Sequence, residues 1–177
     1  MSGSAMSLEM LAIGLLVARV VLGLVMAAHG AQKLFGWFGG YGLSGTGQFM
    51  AQLGFPAGRA FAGAAGLAEL TGGVLLALGL FGPVGPALVV SVMVVAAITV
   101  HWQHGLFAAN NGIELPLLYA TGAVALAFTG FGAYSLDAAL GLAGRFTPLI
   151  TAVVLTAGAL GGIANTTLRR RPGPASA

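Results

Sequence analysis

The chain has 177 residues, of which 58% are hydrophobic and only 6% are charged. Soluble globular domains carry about 25% charged residues, so this chain cannot cover a water-exposed surface and is predicted to fold in a lipid bilayer. Three of the seven basic residues form the run 169–171, which is too short to predict a nucleic-acid partner. The absence of cysteine excludes disulfides, thiolate metal sites and dithiol chemistry within the chain.

Five apolar stretches approach the ~20 residues that a helix needs to cross a bilayer. We therefore predict an all-α membrane protein, in which a four-helix transmembrane bundle is followed by a fifth, C-terminal transmembrane helix. The predicted domains are a membrane core over residues 1–140, the added helix over 141–167, and a basic, disordered cytoplasmic tail over 168–177. The first stretch is predicted to be a retained span, because no basic residue precedes it as in a signal peptide. The five stretches cover residues 8–31, 57–81, 84–101, 114–131 and 148–164.

The connections between the stretches carry turn and interface residues. The Gly-Pro-Val-Gly-Pro sequence of residues 82–86 predicts a tight hairpin, because proline and glycine disfavour continued helix. Thr147 and Pro148 are typical of the N-cap and first position of the fifth helix. The longest interior connection, Gly36–Pro56, is rich in aromatic residues and predicts a segment at the membrane interface, with a short helix over Gln48–Leu53.

Basic residues near the span ends predict the orientation of the chain in the membrane. With five spans, Lys33, Arg59 and the arginine run 169–171 fall on one side, and Arg145 falls on the other. Because positive charge concentrates in the cytoplasm, we expect a multi-pass plasma-membrane protein with its N-terminus outside and its C-terminus inside.

Two charged residues lie within the spans, where an ionisable side chain is costly. Arg19 and Glu69 each lie about twelve residues from the same membrane face, so at 1.5 Å per residue they reach about the same depth. The sequence therefore predicts an Arg19–Glu69 ion pair near the middle of the membrane. Two interpretations of this pair remain open: a structural lock between two helices, or a group that tunes a ligand or proton site.

A second polar group is predicted at the cytoplasmic end of the bundle. His29 and Lys33 end the first span, His101 and His104 end the third, and Glu114 begins the fourth. Histidine side chains move protons near neutral pH, which suits a group beside electron transfer. We predict that His29, Lys33, His101 and Glu114 bind a cofactor, with a quinone head group as the candidate. The alternative is that these residues only snorkel to the interface or complement a helix end.

Other kinds of site leave no pattern in the sequence. The histidines and carboxylates do not follow a metal or haem spacing, and no nucleophile constellation or dinucleotide fingerprint is present. The sequence therefore predicts no metal and assigns no catalytic residue.

Several short segments, taken in order, resemble the DoxX family of small bacterial membrane proteins over roughly residues 18–131. The resemblance implies a four-helix membrane core. Its motif positions fall on Arg19, Gly23, His29, Gly30, Lys33, Glu69, Gly73, His101 and Glu114. The segments are Arg19-Val-Val-Leu-Gly23, His29-Gly-Ala-Gln-Lys33-Leu-Phe-Gly36, Gly42-Leu-Ser-Gly45, Leu53-Gly-Phe-Pro56, Glu69-Leu-Thr-Gly-Gly73, Leu78-Gly79, His101 and Asn111-Gly-Ile-Glu114.

The resemblance also implies a function. Some DoxX relatives are subunits of thiosulfate:quinone oxidoreductase, and others are linked to thiol, quinone or oxidative-stress responses. The chain is thus expected to be a redox subunit of the bacterial inner membrane that binds a quinone or a similar small redox-active molecule. We expect it to work with a soluble cytoplasmic redox protein, as an oxidoreductase subunit that could form oligomers. The absence of cysteine places any sulfur chemistry on that partner.

Two other functions remain open at this stage. The bundle could be a non-enzymatic membrane scaffold that recruits soluble redox proteins through its loops and tail. It could also be a small-solute transporter, although the sequence shows no inverted repeat.

Overall fold

The structure, a computed structural model, describes residues 3–170. This part of the chain is all-α and contains no strand, as the sequence predicts. A π-helical turn (Ala97–His101) and a 3₁₀ turn (Trp102–His104) extend the fourth helix, and further 3₁₀ turns lie at Trp37–Gly39, Ala108–Asn110 and Ala143–Arg145. The α-helices are α1 Gly3–Phe35, α2 Gly42–Gln52, α3 Gly58–Leu78, α4 Val84–Ala96, α5 Glu114–Thr129, α6 Leu136–Ala139 and α7 Pro148–Thr167.

Four of these helices are long and apolar enough to cross a membrane: α1, α3, α4 with its extension to His104, and α7. The five predicted spans correspond to α1, α3, α4, α5 and α7, so the all-α membrane fold is confirmed. The helix α5 differs from the others, because its 16 residues are about 24 Å long and the bilayer core is about 30 Å thick.

The helices α1 and α3 pack in antiparallel contact through glycines on both sides. A Cβ added to Gly23 would lie 2.5 Å from the carbonyl oxygen of Gly73, and a Cβ added to Gly30 would lie 2.6 Å from that of Gly66. No side chain larger than hydrogen fits at that distance, so the glycines let the two backbones touch. This contact fixes the register of α1 against α3.

The helix ends agree with the local chemistry of the sequence. The hydroxyl of Thr147 accepts a hydrogen bond from the Ile150 amide at 3.3 Å, and Pro148 is the first residue of α7. The proline-rich hairpin separates α3 from α4 as predicted. The interfacial helix α2 is longer than predicted, because it begins at Gly42 and not at Gln48.

A buried carboxylate holds the turn between α3 and α4. Asp137 is 3% exposed and accepts hydrogen bonds from the backbone amides of Phe81 at 2.9 Å and Gly82 at 2.7 Å. These amides follow the end of α3, where they have no helical partner. Asp137 therefore attaches the α5–α7 connection to the α3–α4 turn, at the end of the bundle that we call the Arg19 end.

The helix α7 packs parallel to α4 and reaches the opposite end of the bundle, which we call the Lys33 end. There the Arg169 guanidinium donates to the carbonyl oxygen of Leu53 at 2.6 Å, and the Arg170 amide donates to that of Gly54 at 2.8 Å. Arg169 and Arg170, which belong to the expected disordered tail 168–177, are therefore bonded to the α2–α3 loop. Residues 171–177 of that tail lie outside the described part of the chain.

Candidate functional site

Lys33 and Glu69 form an ion pair between α1 and α3. The Lys33 Nζ donates to both carboxylate oxygens of Glu69, at 2.8 Å to Oε1 and 2.6 Å to Oε2. The Glu69 side chain is 3% exposed, and the Lys33 side chain is 26% exposed. The carboxylate is therefore neutralised within the bundle, while the ammonium lies near its surface.

This contact corrects the predicted Arg19–Glu69 pair, which is wrong. Arg19 is buried, but its guanidinium donates to the carbonyl oxygens of Ala77 and Tyr134, the latter at 2.6 Å. These carbonyls lie at the C-terminal end of α3 and in the loop after α5. Arg19 therefore joins three segments of the Arg19 end and takes no part in the Glu69 site.

The register of α1 against α3 explains why Arg19 and Glu69 do not lie at the same depth, as counting residues from the membrane face had predicted. It places Arg19 opposite Gly79, which is ten residues, or about 15 Å, along α3 from Glu69. Side chains on a helix also lean toward its N-terminus. In antiparallel helices this direction carries Arg19 away from Glu69, and it brings the Lys33 and Glu69 side chains toward each other.

A cavity of about 270 Å³ lies beside this pair, between α2, α3, α4 and α7. Most of its wall is apolar, and Phe55 and Phe61 pack there with ring centroids 4.7 Å apart. The exposed Phe49 places one edge of the cavity at the protein surface. The cavity thus combines aromatic surface with a small number of polar groups, as binding sites for small molecules do. Its polar residues are Lys33, Thr46, Glu69, Ser91, Thr99, His101 and Asn165.

His101 lines the cavity and is the last residue of the π-helical turn that extends α4. Such turns widen the helix and occur often at functional sites. The Nδ1 of His101 lies 2.7 Å from the carbonyl oxygen of Asn111. A carbonyl oxygen can only accept, so Nδ1 carries the hydrogen and donates. This bond orients the ring.

The other two predicted binding residues lie elsewhere. His29 packs edge-to-face on Tyr119 of α5, with ring centroids 5.9 Å apart. The Glu114 carboxylate accepts from the Ala108 amide at 2.7 Å, within the loop that precedes α5. Neither residue lines the cavity. The structure therefore brings Lys33 and His101 together with Glu69, and it gives His29 and Glu114 other contacts.

A groove that is more polar than the cavity, with a volume of about 580 Å³, lies on the other side of α2. Its lining residues include Gln32, Gln48 and Gln52. Lys33 and Thr46, together with Phe49, line both the groove and the cavity. Lys33 therefore lies at the boundary between the cavity and a more polar space.

Four polar cavity residues were not predicted as site residues: Thr46, Ser91, Thr99 and Asn165. Ser91 and Asn165 lie within long apolar helices, where a polar side chain marks a candidate functional position. That signal was available in the sequence, but without the helix packing it could not show that these residues face one another.

Comparison with known protein families shows which family the chain is similar to. The family model described as DoxX matches residues 14–102, half of the chain. The match covers the helices of Arg19, Lys33, Glu69 and His101 and ends before α5. No curated protein and no solved structure matches the chain.

Proposed function

Because this chain belongs to the DoxX family of membrane proteins, we propose that it is a quinone-binding subunit of a bacterial membrane redox system. In this proposal the cavity beside Lys33 and Glu69 holds the head group of the quinone. A soluble cytoplasmic redox protein exchanges electrons with it. The observation that carries the proposal is the presence of Lys33, Glu69 and His101 in one largely apolar cavity.

The size and wall of the cavity suit a ring with polar ends. Its volume of about 270 Å³ lies just below the range of about 300–1,000 Å³ that holds drug-sized ligands. It accommodates a head group but not a long apolar tail, which would extend past Phe49 toward the lipid. The aromatic rings of Phe55 and Phe61 offer faces and edges on which a flat ring packs favourably.

Polar contacts at the site support an oxygen-bearing ring. Lys33 uses two of its three N–H donors on Glu69, so one remains for a ligand oxygen. His101 offers its second ring nitrogen, Nε2, to a hydroxyl of the reduced ring, because Nδ1 is held by Asn111. The neighbouring groove brings polar surroundings up to Lys33, which gives protons a path to the site.

The proposal is tested by measuring protection of Lys33. Lys33 is the only lysine of the chain, so an amine-reactive reagent modifies only this side chain and the N-terminal amine. The ligand is a short-chain benzoquinone with a fully substituted ring, which cannot itself couple to the amine. We expect saturating quinone to slow Lys33 labelling at least fivefold in protein reconstituted in nanodiscs.

Two histidine variants make a matched pair for this experiment. His101→Trp places a larger ring in the cavity and is expected to abolish the protection, because it excludes the ligand. His104 is exposed, its Nδ1 contacts the Val100 carbonyl oxygen of its own helix, and it does not line the cavity. In His104→Trp, quinone should therefore protect Lys33 as it does in the wild type. Unchanged labelling of wild-type Lys33 at every quinone concentration would rule the site out and favour the scaffold function.

A further inference from the structure

Resting on the quinone site proposed above, we infer that the cavity binds the reduced, hydroxyl-bearing form of its ligand more tightly than the oxidised form. The two forms differ in hydrogen bonding, because a quinone carbonyl only accepts whereas a quinol hydroxyl both donates and accepts. The hydrogen bonds already made by His101, Thr99 and Asn165 determine which form the cavity satisfies better.

His101 presents an acceptor to the cavity. Its Nδ1 must donate to the Asn111 carbonyl oxygen, so the neutral ring carries no hydrogen on Nε2. A lone pair on Nε2 accepts from a hydroxyl, but it has nothing to offer a carbonyl oxygen. The hydrogen bond to Asn111 therefore fixes the hydrogen on Nδ1, and the free Nε2 favours a hydroxyl of the ligand over a carbonyl oxygen.

Two further side chains also donate to backbone carbonyl oxygens and so present acceptors to a ligand. The hydroxyl of Thr99 donates to the Val95 carbonyl oxygen at 2.8 Å, so only its oxygen lone pairs remain for a ligand. The Asn165 Nδ2 donates to the Gly161 carbonyl oxygen at 3.0 Å, which sets the amide orientation and leaves Oδ1 as an acceptor. Both residues line the cavity.

The cavity also has free donors. Lys33 retains one N–H, the Asn165 amide retains its second, and the hydroxyls of Thr46 and Ser91 can donate as well as accept. Glu69, as a carboxylate, can only accept. A quinol satisfies the donors and the acceptors together, because each hydroxyl can accept from one and donate to another. A quinone satisfies the donors alone and leaves acceptors on His101 and Asn165 without a partner.

A site with unpaired acceptors discriminates strongly against a ligand that lacks the matching hydroxyl. We therefore expect the quinol to bind at least tenfold more tightly than the quinone. Reduction of a quinone adds two electrons and two protons, so this tenfold ratio raises the potential of the bound couple by about 30 mV over that in the lipid. Bound quinone would thus be the stronger electron acceptor.

One residue that contributes to this selectivity lies beyond the residues that match the family model. Asn165 belongs to α7, whereas the match ends at residue 102. The C-terminal end of α7 is held in place by the bonds of Arg169 and Arg170 to the α2–α3 loop. The fifth long helix is therefore a wall of the cavity, and Asn165 is a specificity-determining residue on that wall.

The test compares the two redox forms directly. Full-length protein in nanodiscs is titrated with a short-chain, fully substituted benzoquinone and, without oxygen, with its hydroquinone, and empty nanodiscs correct for partition into lipid. The dissociation constants are measured for wild type, Asn165→Leu and Asn165→Asp. Thr167→Ala is the control, because the Thr167 hydroxyl is exposed and donates within α7.

We expect the tenfold preference for hydroquinone in wild type, Thr167→Ala and Asn165→Asp, which keeps an acceptor oxygen, and a preference below threefold in Asn165→Leu. Equal affinities, or tighter binding of the quinone, would overturn the inference and leave the quinone site standing. A preference that persists in Asn165→Leu would overturn the role of Asn165. Binding of neither form would overturn the proposed site itself.

Discussion

Lys33 and Glu69 place opposite charges where apolar side chains surround them. A carboxylate that is 3% exposed is tolerated only with a partner that donates directly to it, and the Lys33 ammonium donates to both of its oxygens.

We predict that Lys33→Met destabilises the protein more than Lys33→Met combined with Glu69→Leu. The single variant leaves a buried carboxylate unpaired, which costs about 3 kcal/mol, at the low end of the range for buried pairs because Lys33 is partly exposed. The double variant removes both charges. Equilibrium unfolding by SDS in mixed micelles measures the free energy of unfolding.

Arg59 provides the control for this experiment. It is an exposed basic residue at the same end of the bundle, and Arg59→Met is expected to change the free energy of unfolding by less than about 0.5 kcal/mol. Equal destabilisation in the single and double variants would contradict the assigned pairing.

Residue chemistry alone predicted Lys33 and His101 as binding residues and Glu69 as one half of a buried ion pair, because ionisable groups in apolar helices require a partner. It did not identify the partner of Glu69. That choice depends on the register of α1 against α3 and on the lean of the side chains, and neither is visible in a count of residues from the membrane face.

At the scale of the helices, the contact between α1 and α3 depends on glycine. We predict that Gly30→Val lowers the free energy of unfolding by about 1–3 kcal/mol, because the new side chain would overlap the α3 backbone and force the helices apart. The SDS unfolding assay used for Lys33 measures this change.

Gly14→Val is the matched control for Gly30→Val. Gly14 lies on the same helix, but a Cβ added there meets no other atom within 4 Å. We expect it to change stability by less than about 0.5 kcal/mol. If Gly14→Val were as harmful as Gly30→Val, the loss would come from valine in the helix and not from the α1–α3 contact.

The long helices could be predicted from hydropathy, since a bilayer demands long apolar helices and little else. The beginning of α2 could not. Residues 42–47 contain three glycines, which have low helix propensity, so the local sequence favours a loop. In the structure Gly47 lies against Gly58 and Arg59 at the start of α3, and this tertiary contact outweighs the propensity.

For the molecule as a whole, the five long helices sort the basic residues by end. Lys33, Arg59, Arg169 and Arg170 belong to the Lys33 end, and Arg145 and the buried Arg19 belong to the Arg19 end. By the positive-inside rule we predict that the Lys33 end faces the cytoplasm. The cysteine-free sequence allows single cysteines to report on this without other changes.

The measurement labels intact cells with a membrane-impermeant maleimide. Asn110→Cys, at the Lys33 end, should react only after the cells are opened, whereas Gly144→Cys, at the Arg19 end, should react in intact cells. Both positions are exposed, and a Cβ at Gly144 meets no atom within 4 Å. The reverse labelling pattern would show that the bundle is inserted the other way up.

The short α5 has a consequence for the lipid around the protein. The helix is about 24 Å long against a bilayer core of about 30 Å, whereas its neighbour α1, with 33 residues, is about 50 Å long. Lipids that contact α5 must shorten, because tilting the bundle would reduce the thickness that α5 spans still further, and each ångström of mismatch costs a fraction of a kcal/mol. The protein should therefore thin the membrane on one flank and accumulate where the bilayer is already thin.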